Sequence, residues 1–175
     1  MDLHRLTRLS LFTAAMLILY MAELRLPSPL PVPGVKLGLA NLVLLTAMYR
    51  FRPSEVLLMA AIRILCGALF AGQLTILFYS VSGALVSFSL LLPLIRFLPE
   101  KWLPFTGMAA SVLHMAGQLC AAAFMTSTAS ILLWAPYLIT TSLVTGYLTG
   151  LGARLFLSQP VTLTLLPPMY TKAVH

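Results

Sequence analysis

Charged residues are scarce in this sequence, and acidic ones are the scarcest of all. Only 9% of the 175 residues are charged and four are Asp or Glu, whereas 60% are hydrophobic. A soluble domain carries about 25% charged residues, because its surface faces water. The composition therefore excludes a soluble globular protein and indicates an integral membrane protein.

The shortage of acids also excludes most enzyme chemistry. Asp2, Glu23, Glu55 and Glu100 are scattered along the chain, so no pair is spaced to hold a magnesium ion for phosphoryl or prenyl transfer. The sequence has no GxxxxGK[ST] loop for ATP and no His/Cys cluster with the spacing of a zinc site. We therefore expect no catalytic residues, no metal and no cofactor, and a chain that is not an enzyme.

The cysteines and the basic residues indicate neither disulfides nor nucleic acid. Cys66 and Cys120 lie inside apolar runs, and their spacing suggests no disulfide framework. The net charge of +7 comes from residues that stand singly or in pairs between apolar runs, whereas nucleic-acid proteins carry basic patches. We expect the lipid bilayer, and not nucleic acid, as a partner.

Long apolar runs are what the sequence has in abundance. A membrane-spanning helix needs about 20 apolar residues, and prolines, which break helices, help to divide the chain into segments of that kind. We predict an all-α, polytopic bundle of six transmembrane helices at about 8–26, 36–50, 54–71, 74–96, 104–124 and 131–157. These helices form one membrane domain over 1–158, and 159–175 is expected to be an irregular cytoplasmic tail.

The distribution of Lys and Arg predicts the orientation of the bundle. With six spans and a cytoplasmic N-terminus, eight basic residues lie on the inner side, and only Arg25 and Lys36 lie outside. Cytoplasmic loops are enriched in Lys and Arg. We therefore expect a multi-pass protein of the cytoplasmic membrane with both termini in the cytoplasm.

Polar side chains within the apolar runs are the candidate functional residues. A charged side chain at the centre of a membrane costs about 2.5–3.5 kcal/mol on insertion scales, and Arg63 lies near the middle of the third predicted helix. Placed by depth, polar residues from five helices fall in one layer between the middle and the outer face of the membrane. They are Glu23, Lys36, Asn41, Arg63, Tyr79, Ser80, His114 and Gln118. We interpret this layer as a substrate-binding pocket that opens outward.

The charges in this layer favour an anionic ligand, although structural roles remain open. Lys36 and Arg63 would neutralise negative charge, and Glu23 would pair with one of them in the empty site. Free backbone N–H groups at the start of the second helix would also attract an anion. Alternatively, Arg63 forms only an interhelical ion pair and His114 is a buried histidine with its hydrogen bonds satisfied.

Residues 30–41, with the sequence LPVPGVKLGLAN, resemble the most specific motif of a known family. The family is heptaprenyl diphosphate synthase component I, also labelled Gx transporter, and it is similar to the substrate-binding S components of energy-coupling factor transporters. The resemblance covers roughly 8–157. The other matching positions occur in the expected order: Glu23, Arg63, Phe78 to Ser80 with Gly83, and His114 with Gly117 and Gln118.

The resemblance implies a six-helix bundle whose pocket lies toward the outer face. It also implies that a small-residue face of the first helix docks a transmembrane coupling subunit, which two ATPases drive. The leading hypothesis is therefore a substrate-binding transporter subunit that captures a small anionic or amphipathic molecule.

Two other hypotheses stay open. The first is a non-catalytic membrane accessory subunit of polyprenyl diphosphate or quinone synthesis, which holds a prenyl- or quinone-like product for a soluble prenyl synthase. Independent synthase catalysis is excluded, because it needs aspartate-rich metal motifs and this chain has one aspartate, Asp2. The second is a structural bundle in which the polar layer only sets the register of the helices.

Overall fold

Six α-helices make up the computed structural model, which describes residues 3–25, 38–95 and 97–159. Lys36, most of the motif at 30–41 and the predicted tail beyond Gln159 lie outside the described residues. Short 3₁₀ turns at Glu100–Trp102 and Ala129–Trp134 lead into the last two helices. The α-helices are α1 (Leu3–Arg25), α2 (Leu39–Arg50), α3 (Pro53–Ala71), α4 (Leu74–Ile95), α5 (Leu103–Thr126) and α6 (Ala135–Leu157). The predicted all-α fold with six helices is confirmed.

Five of the described helices are long and apolar enough to cross a membrane, and α2 is shorter. The large apolar side chains on the outside of the bundle suit a lipid environment, since Leu69, Phe124 and Leu133 are each at least 75% exposed. α2 has 12 residues, which corresponds to about 18 Å at a rise of 1.5 Å per residue. The hydrocarbon core of a bilayer is about 30 Å thick. The chain is thus a multi-pass membrane protein in which α2, which begins at Leu39, is too short to span alone.

α2 is the central helix of the bundle. Every residue from Val43 to Arg50 is buried, and α2 contacts α1, α3, α4 and α6. A helix that is apolar on nearly all sides belongs in the interior of a protein. Its neighbours, rather than lipid, therefore surround α2 over most of its length.

A proline and a glycine set the two ends of α3. Pro53 occupies the first turn, where the missing backbone N–H would have no partner within the helix. The Glu55 carboxylate accepts a hydrogen bond of 2.8 Å from the backbone N–H of Arg52 just before it. At the other end Gly72 has a φ of 66°, a left-handed conformation that favours glycine. The chain leaves the helix there and enters α4 two residues later.

Two ion pairs connect helix ends on one side of the bundle. Arg5 of α1 binds Glu55 of α3, with Nε 2.6 Å from Oε1. Arg50, at the end of α2, binds Glu100 before α5, with Nη2 3.1 Å from Oε1. The Arg50 side chain is only 1% exposed, so its charge depends on this partner. The pairs link α1 to α3 and α2 to the start of α5.

Glycines bring α5 and α6 into close contact. Gly107 of α5 faces Gly146 and Gly150 of α6, and a Cβ atom at Gly146 would lie 2.6 Å from the carbonyl oxygen of Gly107. Small residues of this kind let helix backbones approach each other in membranes, where dispersion and backbone contacts drive association. The α5–α6 pair therefore tolerates no side chain at this crossing.

Gly146→Ala should lower the stability of the bundle, because the new Cβ atom would meet backbone atoms that have no room to move. Overpacking costs about 1–3 kcal/mol, and the higher helix propensity of alanine returns about 1 kcal/mol. Gly152→Ala on the same helix is the matched control, since its Cβ atom would meet only the flexible end of the Leu42 side chain. Thermal unfolding in mild detergent should give a lower midpoint for Gly146→Ala than for Gly152→Ala. Equal midpoints would show that the α5–α6 contact is not close.

Candidate functional site

Glu23, near the end of α1, is buried and caps the first turn of α2. Its Oε1 accepts a hydrogen bond of 2.8 Å from the backbone N–H of Leu39, and its Oε2 accepts one of 3.5 Å from Ala40. The first N–H groups of a helix have no partners within the helix and carry a partial positive charge. The sequence predicts that an anion binds at this helix start, and in the structure the carboxylate of Glu23 occupies it.

Arg63, on α3, is partly buried and lies beside α1. Its guanidinium carbon is 5.4 Å from the centroid of the Tyr20 ring, a distance at which a cation is attracted to the face of an aromatic ring. Glu23 of α1 and His114 of α5 lie within the electrostatic influence of Arg63, but among the described residues no ion pair joins Arg63 to Glu23. The direct contact of Arg63 is with the Tyr20 ring on α1.

Tyr20 is a site residue that the sequence analysis missed. Its ring also packs on α3, where a Cβ atom at Gly67 would lie 2.9 Å from the Tyr20 Cε1 atom. The spacing of the residues on α1 could have revealed Tyr20, because side chains three or four positions apart in the sequence lie on one face of a helix. That face is the buried side of the helix and consists of Leu9, Thr13, Met16, Tyr20 and Glu23.

His114, on α5, packs against the backbone of α4. A Cβ atom at Gly83 would lie 2.9 Å from the His114 Nδ1 atom. The same two helices are joined by the Ser82 hydroxyl, which donates a hydrogen bond of 2.7 Å to the carbonyl oxygen of Gly117. The small residues on α4 therefore leave the space that the imidazole ring fills.

The structure brings three of the predicted residues together, and we call Tyr20, Glu23, Arg63 and His114 the Arg63 cluster. Four other predicted residues are partly buried and lie on helices that contribute to the cluster or contact it. Along its own helix, each lies within about one turn of a residue that belongs to the cluster or contacts it. One turn is about 5.4 Å. The four residues are Asn41 beside Ala40, Tyr79 and Ser80 before Gly83, and Gln118 after His114.

The cluster offers positive charge and hydrogen bonds rather than metal ligands. Among the described residues, no group of three His, Cys, Asp or Glu side chains is arranged to hold a metal ion. The one carboxylate of the cluster, Glu23, is already hydrogen-bonded to two backbone N–H groups. Arg63 is therefore the group best suited to contact an anion from outside the chain.

Comparison with known proteins gives the family. Residues 12–157 match the family described as heptaprenyl diphosphate synthase component I. The chain belongs to this family. The match includes the whole Arg63 cluster and confirms the resemblance seen in the sequence. No curated protein and no solved structure matches the chain.

Glu23 should stabilise this component I protein through its contact with α2. Glu23→Gln keeps an oxygen acceptor and loses the charge, whereas Glu23→Ala loses both. A hydrogen bond to a charged group contributes about 1.5–3 kcal/mol, so the thermal midpoint in detergent should fall from wild type to Glu23→Gln and further to Glu23→Ala. If Glu23→Ala unfolds at the wild-type temperature, the carboxylate does not hold the start of α2.

Proposed function

We propose that this chain is a non-catalytic membrane component of prenyl diphosphate synthesis, which binds an anionic prenyl ligand and holds it for a soluble synthase. The observation that carries the proposal is the position of Arg63 among apolar helices, over the ring of Tyr20. A diphosphate is strongly anionic, and its attraction to a cation is greater in a site of low dielectric constant than in water. The family description names a compound of this class.

The residues of the site divide into those that bind the ligand and those that position them. Arg63 contacts the diphosphate, and Lys36 supplies a second positive charge. The remaining polar side chains orient the ligand by hydrogen bonds, and Glu23 holds α2 and Arg63 in place. The orienting residues are Asn41, Tyr79, Ser80, His114 and Gln118.

The partner synthase would supply the metal-dependent chemistry. Prenyl transfer requires divalent cations that neutralise the leaving diphosphate, and hard cations of this kind prefer several carboxylate ligands. This chain has one aspartate and three glutamates, and the described glutamates all make contacts within the chain. The role of the chain is accordingly to bind the ligand and deliver it to the synthase.

A second candidate function is a substrate-binding transporter subunit, and the surface of α1 favours it. Ala14, Ile18 and Ala22 are all exposed on this helix, at spacings that give one face. A face with small residues suits close docking of another transmembrane helix, such as that of a coupling subunit driven by two ATPases. In this case the Arg63 cluster would capture a small anionic or amphipathic molecule from the outer side of the membrane.

Arg63→Gln tests the binding site that both candidate functions share. We expect the dissociation constant for geranyl diphosphate to rise at least tenfold in purified protein, because a buried charge contact with the ligand is lost. Arg63→Lys should retain part of the affinity. Arg154→Gln, at an exposed arginine of α6, is the matched control and should bind like wild type. If Arg63→Gln binds like wild type, the Arg63 cluster is not the ligand site.

The proteins that purify with the chain distinguish the two functions. Mild solubilisation of native membranes followed by affinity purification should retain a soluble prenyl synthase if the proposed function is correct. A transmembrane coupling subunit together with ATPases would instead establish the transporter function and contradict the synthase partner.

A further inference from the structure

Arg50, at the end of α2, is a buried arginine that lies outside the Arg63 cluster. Its side chain is 1% exposed, and its Nη2 atom lies 3.1 Å from Oε1 of Glu100. The other two guanidinium nitrogens, Nε and Nη1, are buried and make no hydrogen bond within the part of the chain that the structure describes. Unpaired donors on a buried charged group cost free energy, because the group has lost water and gained no partner in its place.

Arg50 lies where the end of α2 meets the start of α5, a boundary that we call the α2–α5 seam. A second polar contact crosses this seam, since the Tyr49 hydroxyl lies 3.2 Å from Oγ1 of Thr106. α2 packs most extensively on α1 and α6, and glycines bring the backbones of α5 and α6 together. Side chains, rather than close backbone packing, therefore join the end of α2 to α5.

Glu100 can leave the ion pair more easily than Arg50. Its side chain is 42% exposed and lies in the short 3₁₀ turn that precedes α5, so water can solvate the carboxylate as soon as it moves. Arg50 would then be a buried charge without a counterion, which is strongly unfavourable. The guanidinium group regains hydrogen bonds when water enters the seam. Separation of the pair and opening of the seam are therefore coupled.

We infer that the Arg50–Glu100 pair is a gate, which keeps the α2–α5 seam closed while the pair is formed and opens the seam to water when the pair separates. The ion pair favours closure, and the unpaired Nε and Nη1 atoms of Arg50 favour opening. The 12 residues of α2 place this gate about 18 Å from the start of the helix, where Glu23 binds. The bundle thus opens at the end of α2 opposite to the Arg63 cluster, whichever ligand the cluster binds.

The reactivity of a cysteine in the seam measures its opening. Thr106→Cys places a thiol there, and Thr149→Cys on α6, beside Gly38 at the start of α2, is the matched control. Both threonines are buried, and each donates a hydrogen bond to a carbonyl oxygen about one turn before it. Each change is made in the full chain with Cys66→Ala and Cys120→Ala. The rate of labelling by a water-soluble maleimide is then measured in lipid nanodiscs.

Two variants of the gate should change the labelling rate in opposite directions. Glu100→Gln removes the counterion of a buried charge and should raise the rate at Thr106→Cys by about tenfold or more. Arg50→Met combined with Glu100→Gln leaves no charge in the pair, so nothing draws water into the seam. This double variant should label about threefold more slowly than the unaltered pair. The rate at Thr149→Cys should stay within about twofold in both variants.

Three results would overturn the inference. Equal rates at Thr106→Cys for Glu100→Gln and the unaltered pair would show that the ion pair does not close the seam. Faster labelling at both cysteines would show that Glu100→Gln loosens the whole bundle. If the double variant labels at least as fast as the unaltered pair, the charge of Arg50 does not open the seam. This last comparison does not depend on whether Glu100→Gln folds by itself.

Discussion

The first backbone N–H groups of α2 lie inside an apolar bundle and need hydrogen-bond acceptors. Glu23 supplies these acceptors, and the rest of the site depends on this contact. A buried N–H group without an acceptor costs several kcal/mol where no water is present. The Glu23 carboxylate accepts hydrogen bonds from Leu39 and Ala40, which lets the central helix start within the protein. That carboxylate is itself a buried charge, and the cation Arg63 lies over the ring of Tyr20, about one turn before Glu23 on α1.

The same arrangement explains why Arg63 can serve a ligand. If Arg63 served only to neutralise Glu23, we would expect the carboxylate to bind the guanidinium group directly. The Glu23 carboxylate instead accepts hydrogen bonds from the backbone of α2. The guanidinium group lies over the Tyr20 ring. A guanidinium group held by an aromatic face retains its hydrogen-bond donors. We propose that these donors bind the diphosphate.

The helical architecture was largely predictable from the sequence. Apolar runs of spanning length, separated by prolines and glycines, are typical of transmembrane helices, because a helix satisfies its own backbone hydrogen bonds in a bilayer. The family was also predictable, since the motif before Asn41 led to the same assignment as the match over residues 12–157. The depth argument predicts that Glu23, Arg63 and His114 lie in one layer of the bundle. It used only the order of the helices and the positions of the polar residues along them.

The roles of individual side chains were harder to predict, because they depend on contacts between helices. Nothing in the apolar pattern indicated that α2 would be only 12 residues long, since its apolar residues suit a lipid-facing helix and a protein-enclosed one equally. Glu23 was expected to pair with a cation, yet its hydrogen bonds go to a helix start 16 residues away. Tyr20 escaped notice because a tyrosine in an apolar run is common near membrane interfaces.

Native mass spectrometry of the protein, purified in mild detergent, tests the central claim most directly. The wild-type spectrum should contain a retained anionic amphiphile with a prenyl chain, and the same adduct should be missing from Arg63→Gln. A wild-type spectrum with no adduct would contradict the claim that the Arg63 cluster holds such a ligand, and so would phospholipids retained equally by both proteins.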